Sequence, residues 1–196
     1  MLVYFRTKEM YDLTKHKGIG YFRNAFLFFA LAFLFRYLFH FFRISRSFLG
    51  IHISGKIIST ISLVFIGYLS TIAIFYLILS TLWKKTENKN LLFIAHATAI
   101  IISVIVAIFR TSYVLIIAQL ALLVFAAVLA YVSYKSSKKH SNIFIIYILL
   151  FIIWIFNIFI LCPRIFILPF ELRLLSQLIS IIFFGVIYFK VNKWTK

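Results

Sequence analysis

The chain has 196 residues, of which 64% are hydrophobic and 20% aromatic, and it carries 21 Lys and Arg against 4 Asp and Glu. A water-soluble domain of this size needs far more polar surface than this composition supplies, so a soluble enzyme or binding domain is excluded. In a soluble protein the net charge of +17 would suggest nucleic-acid binding. Here the cations flank apolar segments, which makes a bilayer with anionic headgroups the expected partner and argues against nucleic acid.

Six continuous apolar segments occupy most of the chain. Each is long enough for a helix to cross the hydrocarbon layer, which takes about 20 residues. The segments do not alternate between polar and apolar residues, and this favours helices over a β-barrel. The sequence therefore predicts an all-α, polytopic transmembrane helix bundle of six spans at residues 21–190, with a short basic tail at 191–196. The spans run near Tyr21–Phe42, Ile57–Trp83, Leu91–Phe109, Ser112–Tyr134, Asn142–Leu161 and Ile167–Phe189.

Lysine and arginine are distributed unequally between the two sides of the predicted bundle. With the N-terminus inside, the inner side carries the larger number of cations. This excess predicts a multi-pass protein of the cell membrane with both termini in the cytoplasm. The inner cations are Arg6, Lys8, Lys15, Lys17, Lys84, Lys85, Lys89, Lys135, Lys138, Lys139, Lys190, Lys193 and Lys196, and the outer connections hold Arg43, Arg46, Lys56, Arg110 and Arg164.

The segment at residues 1–20 combines apolar and charged residues before the first span. One interpretation is a cytoplasmic juxtamembrane helix that lies on the inner leaflet with Leu2, Phe5, Met10 and Leu13 turned toward lipid. The other is the end of a further span that begins upstream of residue 1. The sequence leaves both interpretations open.

Polar side chains near the outer ends of spans one and six define a candidate ligand or ion pocket. Arg36 and His40 are four residues apart and share one helix face. Glu171 and Arg173 begin span six at a similar depth, and Gln177 follows one turn after Arg173. A charged residue in a membrane helix needs a partner. The hypotheses are therefore a functional pocket or an ion pair of Arg36 with Glu171 that holds the two spans together.

His96 lies near the start of span three, about 8 Å deep at 1.5 Å per residue. A buried imidazole binds haem, relays a proton or forms a hydrogen bond to a neighbouring helix. His40, the other histidine within a span, lies near the opposite membrane face and is a poor second ligand for the same haem. His96 is therefore a weak haem candidate beside the plainer hydrogen-bonding role, and no cofactor and no metal site are predicted.

The spans show no recognisable catalytic constellation. They lack paired carboxylates, an Asp cluster for Mg²⁺, a His-Glu-x-x-His zinc motif and a Ser/His pair with an acidic partner. The lone Cys162 excludes an intramolecular disulfide. The sequence predicts that the protein is not an enzyme.

Small residues recur every four positions in span three and, more briefly, in span four. Such a stripe lets two helices approach closely and is typical of helix packing. The two spans are joined by a very short connection at Arg110 and Thr111, so they are predicted to form an antiparallel hairpin. The stripe comprises Ala95, Ala99, Ser103 and Ala107, followed by Ala126 and Ala130.

A resemblance covers about the first quarter of the chain. The segment YDLTKHKGIGYFRNAFLFFALA at residues 11–32, with Arg36 after it, resembles a segment of uncharacterised archaeal multi-spanning membrane proteins. Those proteins are similar in layout to the seven-helix sensor regions that precede some histidine kinases. In such sensors one span precedes the Lys-His-Lys-Gly segment, which implies that residues 1–5 end a further helix. No kinase follows span six here, so the resemblance implies signal output through a separate partner.

Taken together, these patterns favour a non-catalytic, sensor-like or scaffold membrane subunit that acts through a protein partner or as a homo-oligomer. The first alternative is a small transporter or channel subunit that uses the outer pocket. The second alternative is a haem or quinone redox subunit that uses His96.

Overall fold

The structure, a computed structural model, describes residues 2–49, 54–83, 90–136, 141–161 and 170–194, with only the backbone described at 40, 43–44, 46–49, 134, 136, 141–143, 157–161, 170–174 and 194. Within these ranges it contains seven α-helices and no strand, which confirms the all-α prediction. The helices are α1 (Leu2–Thr14), α2 (Lys17–Leu49), α3 (Gly55–Leu82), α4 (Asn90–Phe109), α5 (Ser112–Ser136), α6 (Ser141–Leu161) and α7 (Phe170–Trp194).

Helices α2–α7 coincide with the six predicted spans to within a few residues at most ends. Five helices are long and apolar enough, by length and composition, to cross a membrane, and α6 contributes the shorter apolar segment Phe144–Phe156 in its described part. The five candidate spans are Lys17–Phe39, Gly55–Leu82, Asn90–Phe109, Ser112–Ser133 and Leu175–Lys193.

Two helix ends are formed by non-glycine residues in the left-handed conformation. Lys15 has φ 50°, and its N–H donates to the Tyr11 carbonyl at 2.7 Å, which ends α1 and turns the chain into α2. Arg110 has φ 49° and lies between α4 and α5. Both connections are short and the joined helices pack together. The predicted α4–α5 hairpin is thereby confirmed, and α1 with α2 forms a second one.

The helices form a closed ring in which α1 is the shortest member. Around the ring α2 packs against α3, α3 against α5, α5 against α6, α6 against α7, α7 against α1, and α1 against α2. Helix α4 lies outside the ring against α3 and α5. Helix α3 is the most buried helix, with Ile72, Ala73, Ile74 and Leu77 fully inaccessible. The core of the bundle therefore lies around α3.

The outer surfaces of the helices are covered with large apolar side chains. Phe93 and Ile108 of α4 are 75% and 70% exposed, Ile117 of α5 is 70% exposed, and Ile182 and Phe189 of α7 are similarly exposed. A protein surrounded by water does not carry so extensive an apolar surface. In a bilayer the same surface contacts lipid at no cost, so the fold is that of a membrane protein.

The small-residue stripe predicted for helix packing is largely buried. Ala95, Ala99 and Ser103 on α4 are at most 3% exposed, and Ala126 and Ala130 on α5 are at most 5% exposed. These residues let α4 and α5 approach the core around α3. The last member of the α4 stripe, the alanine at position 107, is only half-buried.

The α1–α2 hairpin is held by an arginine between two tyrosine rings. The Arg23 guanidinium carbon lies 5.0 Å from the Tyr4 ring centroid and 4.6 Å from that of Tyr11. Such cation–π contacts stabilise by about 0.5–2 kcal/mol each, depending on desolvation. Gly20 permits this approach because a Cβ there would lie 2.8 Å from Tyr11 Cε2. Gly18 likewise permits the close approach of the end of α3, because a Cβ at Gly18 would lie 2.8 Å from Trp83 Cδ1.

The N-terminal end of α1 lies alongside the middle of α2. Val3 is buried and belongs to the same core cluster as Phe26. Thr7 is fully buried and donates to the Val3 carbonyl at 2.8 Å. Residues 2–14 therefore pack as a helix against the first candidate span, antiparallel to it, and Leu2 and Phe5 remain exposed.

Candidate ligand site

A cleft of about 520 Å³ lies between α2 and α7. Among the described residues no Cα atom of α2 lies within 8 Å of a Cα atom of α7, so side chains alone bridge these helices. Phe33 and Phe184 form a bridge with ring centroids 5.5 Å apart. We call this space the α2–α7 cleft. Its lining comprises Leu2, Val3, Phe26, Phe29, Ala30, Phe33, Arg36, Tyr37, Gln177, Ser180, Ile181 and Phe184.

Polar and apolar groups are separated along the cleft. Val3 and Phe26 lie toward one end, and Arg36, Tyr37 and Gln177 lie toward the other. On α2 the lining extends from residue 26 to residue 37, about 16 Å at 1.5 Å per residue. The Arg36 guanidinium carbon lies 5.3 Å from the Phe33 ring centroid, so its charge is held against an aromatic wall. This separation suits a ligand with an apolar body and a polar head.

A second and smaller cavity of about 30 Å³ adjoins the cleft inside the ring of helices. Arg36 lines both spaces, whereas Ser70 of α3 and Trp154 of α6 line the inner one. We call the inner space the interior cavity. Trp154 is 7% exposed, and its indole Nε1 is buried without a hydrogen-bond partner. An indole N–H is a donor only, so the interior cavity is lined by a tryptophan whose one donor has no acceptor.

The structure brings together two of the five residues predicted for the outer pocket. Arg36 and Gln177 line the same cleft, from α2 and α7 respectively. The side chains of His40, Glu171 and Arg173 lie outside the described residues, although their backbones belong to α2 and α7. Arg36 of α2 and Gln177 of α7 therefore border one space, and the ion pair of Arg36 with Glu171 stays a prediction.

His96 is clamped between two tyrosines of α3. Its Nδ1 lies 2.8 Å from the Tyr68 hydroxyl, and its Nε2 lies 3.4 Å from the Tyr76 hydroxyl. A neutral imidazole donates from one nitrogen and accepts at the other, so one tyrosine acts as donor and the other as acceptor. Phe28 stacks on Tyr76 with centroids 5.3 Å apart and closes the cluster from α2. Both ring nitrogens thus face hydroxyls of a neighbouring helix, which is the hydrogen-bonding role weighed above against haem ligation.

Gln119 joins α5 to α3 in the middle of the bundle. It is fully buried, and its Nε2 donates to Ser70 Oγ at 2.6 Å and to Thr71 Oγ1 at 2.9 Å. Gly67 makes room for this contact, because a Cβ there would lie 3.3 Å from a methyl carbon of Leu115. Amides within spans commonly form hydrogen bonds across helices, as Gln119 does here.

Tyr147 joins α6 to the end of α3. Its hydroxyl donates to the Leu77 carbonyl at 2.7 Å and lies 2.7 Å from both Ser80 Oγ and Thr81 Oγ1. Tyr147 is 4% exposed, so this polar cluster is shielded from lipid. It is a structural contact across the ring rather than a ligand site, because its hydroxyl is fully occupied by α3.

Sequence reasoning did not identify Trp154 as a member of the site, nor the tyrosines around His96. Tyr68 and Tyr76 are eight residues apart, which places them on one helix face, and this spacing is the signal that was available. Trp154 carries no such signal, since it stands in an apolar run. Across the described part of the chain, no three His, Cys, Asp or Glu residues come together as a metal site would require.

The fold and the apolar surface define a polytopic α-helical membrane protein. A comparison with protein-family models gives no match, and no solved structure matches the chain. A protein of Archaeoglobus fulgidus, described as "Uncharacterized protein", is 30% identical over 195 residues, which cover 97% of this chain and 85% of that protein. The chain belongs to the same family as this archaeal protein.

Proposed function

We propose that the protein is a non-catalytic, sensor-like membrane subunit that binds a lipid-soluble ligand in the α2–α7 cleft and acts through a protein partner. The observation that carries the proposal is the cleft itself. It is a space of about 520 Å³ with Arg36 and Gln177 at its polar end. Pockets that bind drug-sized ligands have volumes of about 300–1,000 Å³ and a mostly apolar lining with a few polar groups.

Helix α1 is the element that would report occupancy of the cleft. Leu2 and Val3 line the cleft, while the other end of the same helix turns at Lys15 into α2. That turn packs against the end of α3, where the His16 and Trp83 rings lie 4.0 Å apart. A ligand in contact with one end of α1 is therefore linked through a short rigid helix to the charged end of the bundle. Residues 11–32 also resemble a segment of archaeal membrane proteins that are similar in layout to sensor regions, and this supports the same role.

The proposed topology has six spans, α2–α7, with the α1–α2 turn and the C-terminus in the cytoplasm. The excess of cations at that side supports it. Helix α1 then rises from the cytoplasmic side beside α2. Two exposed positions test the orientation: in a chain without Cys162, Lys193→Cys and Arg110→Cys should react with a membrane-impermeant maleimide from opposite sides. Reaction of both from the same side would contradict the topology.

Filling the cleft should abolish ligand binding. Ala30→Trp places a large ring in the α2–α7 cleft, whereas Ala121→Trp places the same ring on the exposed side of α5. Native mass spectrometry would measure the bound amphiphile after incubation with a lipid extract of the expression host. We expect wild type and Ala121→Trp to retain a bound amphiphile. In Ala30→Trp its binding should be weaker by about tenfold or more, because steric overlap of this size removes at least the equivalent of about 1.4 kcal/mol of binding free energy.

The same three proteins also test the coupling through α1. Amide hydrogen exchange in residues 2–14 should be faster in Ala30→Trp without bound amphiphile than in occupied wild type, since ligand binding stabilises the segment it contacts. Equal retention of the amphiphile by all three proteins, or its absence from wild type, would remove the receptor function. Solute flux through reconstituted wild type would instead favour the transporter alternative.

A further inference from the structure

We propose that the ligand of the α2–α7 cleft is an amphiphile with one apolar chain and a carboxylate head, and that the head lies in the interior cavity. This inference rests on the proposed function, since it names the ligand class of the same site. The observation that carries it is that Arg36 and Trp154, whose indole N–H has no hydrogen-bond partner, line the same small space.

The head group is identified by the donors that surround it. Arg36 presents a cationic fork of N–H groups, and Trp154 adds a neutral N–H from the opposite helix, α6. A guanidinium binds a carboxylate through two parallel hydrogen bonds and retains further N–H groups for a protein partner. The remaining carboxylate lone pairs would accept from the indole. A cationic head is excluded by the charge of Arg36. A head without an acceptor oxygen would leave the indole N–H of Trp154 without a hydrogen-bond partner.

The size of the interior cavity selects among anions. About 30 Å³ is space for two or three water-sized groups, because a single water needs roughly 10–15 Å³ of such volume. A planar carboxylate is of this size. The head of a phosphodiester lipid, with its tetrahedral phosphate and two ester arms, is larger than the space between Arg36 and Trp154.

The apolar chain is accounted for by the cleft outside the interior cavity. From Arg36 the lining passes Phe29 and Phe184 and reaches Phe26 and Val3, which are all apolar. This path is about 16 Å along α2, close to the length of an extended dodecyl chain. Helix α1 contacts both α2 and α7 and closes the cleft at Leu2 and Val3, whereas toward Arg36 only side chains join α2 to α7 in the described residues, which gives a chain a path from the lipid.

Quenching of Trp154 fluorescence tests where the head group lies. In full-length protein in nanodiscs, Trp83→Phe and Trp194→Phe leave Trp154 as the single tryptophan. We expect dodecanoate brominated next to the carboxylate to quench Trp154 strongly and dodecanoate brominated at its far end to quench it weakly. The opposite order would overturn the placement of the head. This measurement needs no change at the site itself.

Two substitutions test the chemistry of recognition. Arg36→Gln should weaken binding of dodecanoate about tenfold or more and leave dodecanol unaffected, and Trp154→Phe should weaken dodecanoate severalfold. Arg110→Gln removes the same charge far from the cleft and should change the binding of neither dodecanoate nor dodecanol. Dodecyltrimethylammonium should not compete with dodecanoate.

The outcomes separate this inference from the proposed function. If dodecanol binds as well as dodecanoate and Arg36→Gln changes neither, the ligand class is wrong and the cleft remains a receptor site. If none of the three probes binds, both proposals fail. A photo-crosslinker at position 30 that captures polypeptide instead of the probe would assign the cleft to a protein segment and overturn the inference.

Discussion

Gly67→Leu is expected to be among the most destabilising single substitutions in the bundle. A Cβ at this position lies 3.3 Å from Leu115 Cδ1 and 3.5 Å from Ser103 Oγ, so a leucine side chain has no space between α3, α4 and α5. Overpacking of this kind costs about 1–3 kcal/mol. It also separates α3 from α5, which breaks the Gln119 hydrogen bonds to Ser70 and Thr71. Unfolding in detergent, followed by circular dichroism, measures the loss.

Gly185→Leu provides a matched control. This glycine also lies within a helix, but a Cβ there has nothing within 4 Å and the position is exposed. Leucine has a higher helix propensity than glycine by about 0.8 kcal/mol, so the variant should be neutral or slightly more stable. Equal destabilisation at both positions would mean that the close approach around Gly67 does not contribute to the stability of the bundle.

His96→Phe is expected to destabilise the protein by removing the partner of two tyrosine hydroxyls. Tyr68 and Tyr76 would each retain an O–H in surroundings that offer little water. A buried polar group without a partner costs about 1–3 kcal/mol. The Tyr68 contact, at 2.8 Å, should account for more of the loss than the Tyr76 contact, at 3.4 Å.

A double-mutant cycle distinguishes this explanation from a simple loss of packing. Tyr68→Phe together with His96→Phe removes both partners of the shorter hydrogen bond, and the pair should cost less than the sum of the single substitutions. Additive losses would show that the hydroxyl and the imidazole do not depend on each other. If His96→Phe instead changed the visible absorption of the protein and left its stability unchanged, the result would support the haem hypothesis for His96.

The positions of the helices could be predicted from the sequence because continuous apolar runs and their polar breaks are visible in it. Which face of each helix points inward could not be predicted with the same certainty. Ile116 and Ile117 are neighbours on α5, yet the first is 8% exposed and the second 70% exposed. In a membrane protein both the core and the lipid-facing surface are apolar, so hydrophobic periodicity has little contrast.

The informative positions were therefore the small and polar ones. Ala99 and Ser103, which were predicted to pack, are buried, and Gln119 forms its hydrogen bonds across helices. For the same reason Arg36 and Gln177 could be assigned to one site before their positions were known. Trp154 was missed because a tryptophan in an apolar run gives no sign of whether its N–H has a partner.

The contact between α1 and α7 joins the helix that leaves the ribosome first to the helix that leaves it last among those described. During synthesis α1 and α2 emerge as a hairpin, and at about 5–20 residues per second the remaining helices follow over the next several seconds to tens of seconds. Throughout that interval Val3 lacks the α7 side chains with which it lines the cleft. The ring of helices is thus completed only once α7 has been synthesised and has docked against α1.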